Sequence, residues 1–330
     1  MKRIAVVILN WNGAALLEAF LPSVVRHSPQ ASIYVADNAS DDLSVELLRI
    51  RFPMVKVIRN TQNYGFAQGY NEALRFVEED IYALVNSDVE VTENWLEPIL
   101  KLMDENPEAA FVQPKILDHK DKLKFEYAGA GGGFIDRYGF PFCRGRIFDS
   151  IETDNGQYDD TSRVFWASGA CLVVRKEIFR ELGGFDPAFF AHMEEIDLCW
   201  RGFNRNYYTY YCGQSTVYHV GGATLEVQNP KKTYLNFRNS LLMLLKNLPK
   251  RHLSSRIFLR LVLDGIAGVR FLFQGKFEHV GAIIRAHFSF YSQFGSTFSR
   301  RGPRQRRDYY RLPSVVWSYF VRRRKRYSDF

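Results

Sequence analysis

Four short apolar runs in the first 86 residues, each ending in a polar, asparagine-rich cluster, restrict the fold of this chain more than any other feature. Residues 4–9, 32–36, 55–59 and 81–85 read as strands. The first is a continuous β-branched and aliphatic stretch, as suits a strand buried on both faces. Between them, residues 16–26, 45–52 and 69–78 carry helical periodicity. This alternation predicts an α/β fold, a mostly parallel twisted sheet with right-handed crossovers and helices on its faces. In such sheets ligands gather beyond the carboxyl ends of the strands. Here those ends are Asn10-Trp11-Asn12, Asp37-Asn38, residues 60–63 and Asn86-Ser87-Asp88.

Farther along, regularity falls. Six glycines lie between positions 129 and 145, a composition of hairpins or of a flap that closes over a site. Helices are predicted at 176–182 and 194–204, and strands at 207–211 and 215–219. From residue 234 onward helices mix basic and apolar residues. Leu253, Ile257 and Leu261 share one helical face and Phe258 and Val262 another, with Arg256 and Arg260 pointing elsewhere. The chain thus divides into a main body, residues 1–250, and a basic, aromatic-rich helical extension, residues 251–330.

The formal charge of +8 is concentrated: residues 300–326 hold eleven Lys or Arg and one acid, Asp308. The rest of the chain is slightly acidic. A basic amphipathic C-terminus suits an anionic membrane surface. No zinc-ligand spacing or RNA-binding aromatic signature accompanies it, so nucleic acid is not an expected partner. Cys143, Cys171, Cys199 and Cys212 form no CxxC pair and read as buried thiols of a reducing compartment. The opening apolar run is too short for a signal peptide, and no run of roughly 18 uncharged apolar residues predicts a spanning helix.

Several residues could carry chemistry. Asp88 and Glu90 follow the fourth strand two residues apart, a spacing that in extended backbone turns both carboxylates the same way. Such a pair can hold a hard cation, Mg²⁺ or Mn²⁺, against a diphosphate; a surface turn carries two acids equally well. Glu194-Glu195-Ile196-Asp197 crowds three acids beside aromatic residues at a helix start. Acids favour that position through the helix dipole alone, but crowding and burial also raise a carboxyl pKa toward that of a general base. His219 ends a strand and suits a third Mn²⁺-type ligand, although a lone His is more often structural. Asp37, after the second strand, is placed for a ribose or base edge. Neither GxGxxG nor a P-loop is present.

Eight segments extend this reading: VILNWNG (7–13), VADNASD (35–41), NYGFAQGYN (63–71), LVNSDVE (84–90), GACLVVR (169–175), GGFD (183–186) with Phe189-Phe190, EEIDLCWR (194–201) and VYHVGG (217–222). In this order, over residues 3–245, they resemble the inverting family-two glycosyltransferases of the GT-A fold, especially rhamnosyltransferase-like members of bacterial surface-polysaccharide pathways. The resemblance implies that residues 1–250 form the catalytic domain. It places the nucleotide-sugar on Asn10, Asn12, Asp37, Asn38, Asn63, Gly65, Asn71, Asn86 and Asp88. It places a Mn or Mg ion on Asp88 with Glu90 and His219, and the acceptor, a glycan or lipid-linked glycan, at Trp166, Gly169 and Ala170. The base would be Glu195, or the adjacent Glu194; relatives often carry Asp where Glu195 stands. Glu90 stands where many relatives have a second Asp or no acid. The implied location is cytoplasmic, on the inner face of a bacterial plasma membrane. Two other classes compete. A sugar-phosphate nucleotidyltransferase needs a Gly-rich basic loop, which residues 10–13 are not. A non-catalytic, membrane-associated nucleotide-sugar-binding protein would need no base.

Overall fold

The computed structural model of the protein describes residues 2–221 and 229–330. Strands β1 (Ile4–Asn10), β2 (Ala31–Asp37), β3 (Lys56–Arg59) and β4 (Ile81–Asn86) alternate with helices α1 (Ala14–His27), α2 (Ser44–Arg51) and α3 (Gly65–Ala73). Next come β5 (Val89–Val91), α4 (Glu97–Glu105) and β6 (Ala109–Asp118), then four short strands, β7 (Gly133–Ile135), β8 (Pro141–Cys143), β9 (Arg146–Ile147) and β10 (Ser150–Ile151). The chain continues through β11 (Thr161–Val164), β12 (Cys171–Arg175), α5 (Lys176–Glu181), α6 (Glu194–Phe203) and β13 (Tyr208–His219). The C-terminal helices are α7 (Pro230–Asn247), α8 (Leu253–Phe273), α9 (Phe277–Ser292), α10 (Phe294–Ser299) and α11 (Val315–Phe320). Residue 250, where the sequence changes character, falls between α7 and α8.

The large sheet runs β11-β13-β6-β12-β4-β1-β2-β3, with β5 paired to β13. Strands β4, β1, β2 and β3 are mutually parallel, as the alternation predicts. The sheet as a whole is mixed, because β12 enters antiparallel between β4 and β6, and β11 and β5 pair antiparallel with β13. The two-residue side-chain period explains the two cores. Ala5 and Val7 of β1, with Tyr82 and Leu84 of β4, face α3, α5, α6 and α7. Ile4, Val6, Ile8, Ala83 and Val85 face α1, α2 and α4.

Three elements differ from their sequence prediction. Helix α3 begins at Gly65, four residues early, because Asn63 Oδ1 accepts the Gly65 N–H (2.9 Å) and the Phe190 carbonyl accepts that of Phe66 (2.8 Å). The two strands predicted at 207–219 are one strand, β13, whose pairing with β6 shifts register between Cys212 and Thr216. The glycine-rich segment is not a flap. Residues 129–133 are buried, and a Cβ on Gly133 would fall within 2.0 Å of the Trp166 ring. Strands β7–β10 form a second sheet covered by the C-terminal segment through Phe142, Ile147, Leu312 and Val315. These glycines serve close packing rather than hinge motion.

Candidate active site

At the carboxyl edge of the parallel strands, Asn10 Nδ2 donates to Asp37 Oδ1 (3.3 Å) and Ser40 Oγ (3.2 Å), and Ser40 N donates to Asp37 Oδ2 (3.1 Å). Ser40 Oγ also accepts from Asn12 N (2.9 Å), and Asn12 Oδ1 accepts from Asp41 N (2.9 Å). Asn12 and Ala39 hold left-handed backbone, with φ of 50° and 60°, as tight turns at ligand edges do. Asn10, Asn12 and Asp37 are thus brought together, joined by Ser40, which the sequence reading passed over.

Asn38 sits one step farther in. Its Nδ2 donates to Asn63 Oδ1 (3.1 Å) and the Gly65 carbonyl (3.0 Å), while its Oδ1 accepts from Asn60 Nδ2 (2.9 Å). Asn71 exchanges two hydrogen bonds with the Phe185 backbone, at 2.7 and 2.9 Å. Both amides are engaged by the protein itself. They brace the loops that frame the site, as the buried Asn10 and Asp37 do. Trp166 departs from its expected role. Its ring is buried and its Nε1–H donates to the Phe134 carbonyl (2.9 Å), so it is a core wedge rather than an acceptor platform. Gly169 abuts the Phe66 ring and Ala170 accepts from Asn86 N (3.0 Å), which sets both beside the end of β4.

The turn between β4 and β5 carries Asp88, buried at 5% exposure. His219, from the end of β13, places Nε2 3.2 Å from Asp88 Oδ1 and 3.5 Å from Asn86 Nδ2. On its other side Nδ1 lies 3.4 Å from Glu126 Oε1 without hydrogen-bond alignment. Glu90 is not in this group. Its carboxylate pairs with Lys122 Nζ (2.9 Å) and His119 Nε2 (3.1 Å), because Asp88 belongs to a turn and the i, i+2 alignment of extended backbone does not apply. Glu126 takes the place expected of Glu90. It lies in an irregular stretch with no acidic neighbour in sequence, so no local signal marked it. A Cβ on Gly221 would approach Glu126 Oε1 to 2.8 Å, which accounts for glycine there. Gly222, the last residue of the eighth motif, lies outside the described residues.

The donor set fits a divalent cation. Two ligands bound cis to an octahedral ion stand about 3 Å apart, close to the Asp88–His219 separation. Among the described residues no three His, Cys, Asp or Glu side chains close a metal cage. Burial works to lower the His219 pKa, but the Asp88 and Glu126 carboxylates outweigh it and raise it to about 10. A cation bound at this point would take the place of that proton. Lys232, on the first turn of α7, adds positive charge nearby. Burial lowers its pKa against the pull of Glu126, and its charge joins burial in holding His192 down at about 4.

The acidic cluster resolves into separate roles. Asp197 is fully buried and held at about 2: burial opposes ionisation, but Lys246 and Arg201 overcome it. Lys246 Nζ bridges Asp186 (2.7 Å) and Asp197 (2.9 Å), so Asp197 is part of the scaffold. Among the described residues Glu194 and Glu195 have no such cation. Burial raises Glu195 to about 7 against the pull of backbone N–H groups at the helix start, and burial with the Glu195 charge raises Glu194 as well. Each keeps one buried oxygen without a hydrogen-bond partner. Glu194 is buried, whereas Glu195 is partly exposed, which makes Glu195 the one able to meet a substrate hydroxyl. The loop before them is strained: Phe190, His192 and Met193 have φ of 62°, 69° and 72°. Helix α7 holds it. Asn239 Nδ2 lies 2.7–2.9 Å from the carbonyls of Phe189, Ala191 and His192, and Arg238 Nη2 donates to Ala188 and Phe189.

The family described as Glycosyl transferase family 2 matches residues 5–183. The chain is 26% identical over 212 residues to N-acetylglucosaminyl-diphospho-decaprenol L-rhamnosyltransferase of Mycobacterium tuberculosis, covering 58% of this chain and 68% of that protein. It is 22% identical over 272 residues to the low-salt glycan biosynthesis hexosyltransferase Agl10 of Haloferax volcanii, covering 78% and 82%. Among solved structures it resembles GalNAc-T7 with UDP, GalNAc and Mn²⁺, at a TM-score of 0.58 and 17% identity, over 76% of this chain and about half (49%) of that one. The mannosyltransferase PcManGT from Pyrobaculum calidifontis, in complex with GDP-Man and Mn²⁺, gives a TM-score of 0.56 at 14% identity, over 88% and 87%. At these identities the structural likenesses speak to the fold.

Proposed function

Because the chain belongs to glycosyl transferase family 2 and is a glycosyltransferase of the GT-A fold, we propose that it is an inverting enzyme. It moves a sugar, in rhamnosyltransferase-like fashion, from a nucleotide-sugar to a hydroxyl of a glycan or lipid-linked acceptor in bacterial surface-polysaccharide synthesis. One arrangement carries the reading: an Asp88–His219–Glu126 cluster at the end of the parallel strands, with an uncompensated, partly exposed Glu195 from α6. Asn12 lies at the nucleotide edge, in a turn held by Asn10, Asp37 and Ser40. The acceptor oxygen attacks the anomeric carbon from the face opposite the leaving diphosphate, and Glu195 takes the hydroxyl proton as the bond forms. The nucleoside diphosphate departs with the bonding pair and the anomeric configuration inverts. A divalent ion held by Asp88 and His219 supplies positive charge to the leaving oxygens when bound. Lys232 adds to it from α7.

The rhamnosyltransferase relative is named for a lipid-diphosphate acceptor, and a comparable acceptor here accords with a protein at the cytoplasmic face of the plasma membrane. No helix among the described residues is long and apolar enough to cross a membrane. The test is release of nucleoside diphosphate from a panel of nucleotide-sugars with Mn²⁺, with chelator, and in E195Q. The expected result is one preferred donor, activity lost with chelator, and a fall of about 10²–10⁴-fold in E195Q with nucleotide binding kept. Unchanged turnover in E195Q would remove Glu195 from the mechanism.

A further inference from the structure

Helix α8 is apolar on two sides: Leu253, Ile257 and Leu261 pack on the core, as their shared face predicts. The side chains it buries include Arg260 and Asp264, at 4% and 1% exposure, while Phe258, Val262, Ile266, Val269 and Phe273 are all at least 45% exposed. These five follow i, i+4, i+8, i+11 and i+15 spacing, a single stripe along the helix. The sequence pattern predicted the opposite for Arg260. Its charge is satisfied inside: Nε bonds Asp264 Oδ1 (2.8 Å), the guanidinium lies over the Phe140 ring (3.9 Å), and His287 approaches Asp264 (3.5 Å). Helix α9 continues the outward apolar surface with Phe288, 71% exposed. A helix that buries its ion pair and shows its aliphatic side is built for an apolar environment on that side. Charge indicates which one. The hairpin, residues 253–292, holds five Lys or Arg against two acids, with Arg270, Lys276 and Arg285 exposed beside one exposed acid, Glu278. A second copy would bring like charge against like; an anionic bilayer would not.

We propose that the outward face of the α8–α9 hairpin is the surface on which this protein docks to an anionic lipid bilayer, with the α8 stripe seated at the headgroup–acyl boundary. Docking is thus carried by the hairpin rather than by the basic tail. The inference rests on the proposed function only for the reason a lipid-linked acceptor is met there. It is tested with full-length protein and vesicles of phosphatidylcholine with and without phosphatidylglycerol. The expected result is binding to the anionic vesicles and a loss of about tenfold or more in V262D/I266D/V269D, with donor turnover in solution unchanged. An I266C protein takes an environment-sensitive dye at an exposed position of the stripe, and the four native cysteines are buried. Its emission should shift to the blue on anionic vesicles. No vesicle binding, equal binding by the triple variant, or an unshifted dye would overturn the proposal. So would a dimer that the triple variant converts to monomer, which would assign the face to a second copy. Absent donor turnover in both proteins would count against the enzyme reading, independently of the vesicle result.

Discussion

Glu195 ionises where a carboxylate is costly, and that cost shapes both rate and stability. Its folded pKa, about 7, stands above the ordinary 4.5. Between those values the folded chain binds the extra proton, so this residue's contribution to stability falls as pH rises from 4.5 through 7. Activity runs the other way, because only the ionised form accepts a proton. Turnover should therefore rise through about pH 7, while E195Q is inactive yet more resistant to thermal unfolding than the parent above that pH. A thermal-shift series and a pH–rate profile read the two effects. Glu90 and Glu126 divide in a different way. Glu90 is occupied by Lys122 and His119 at the surface, where an ion pair is worth about 0–1 kcal/mol. Glu126 sets its charge 3.4 Å from His219 Nδ1, and removing that charge weakens the attraction for a cation held by the ring. Titration of turnover with Mn²⁺ should show that weakening in E126Q and near-parent affinity in E90Q. The reverse outcome would return Glu90 to the site.

The strained loop 189–193 and helix α7 work as one unit. Three left-handed non-glycine residues persist only where surrounding contacts over-determine them, and the Asn239 amide supplies those contacts from a buried position. Asn239→Ala takes the donor from the partly buried Ala191 and His192 carbonyls, while Arg238 still serves Phe189, at about 1–3 kcal/mol. It should lower kcat about tenfold or more through misplacement of Glu195, with the donor Kd little changed. A loss of donor affinity alone, with kcat intact, would argue against this role. The neighbouring Lys246 bridge has a stability signature. Lys246→Ala removes the cation shared by Asp186 and Asp197 and leaves Arg300 and Arg201 beside them, and breaking a buried pair costs about 3–5 kcal/mol. Urea unfolding should show that loss near neutral pH. The depressed pKa of Asp197, about 2, means that the network's contribution is present above pH 3.8 and disappears as pH falls toward 2. The parent and the variant should therefore converge at low pH.

Across the whole molecule, the C-terminal segment packs back on the body. Tyr309 is buried, with its ring centroid 4.7 Å from that of Trp200, and Val315 N donates to Asp136 Oδ2 (3.0 Å). Arg322, Arg323, Lys325 and Arg326 stay exposed beyond it. The parallel half of the sheet, the polar strand ends, Asp88, His219 and the acidic start of α6 were legible in the sequence. All of them rest on local signals: apolar period, turn chemistry and short motifs within one element. What lay between elements was not legible. The approach of Glu126 to His219 spans 93 residues. The bracing by Asn38 and Asn71, the separation of Asp197 from Glu195 and the burial of Arg260 each depend on which residues of distant segments meet. Sequence alone thus determined the strand–helix alternation and the residue types gathered at its edge. Only the tertiary structure decided which carboxylates are paired and which stand free, because a carboxylate's charge state is set by burial and by partners brought from elsewhere in the chain.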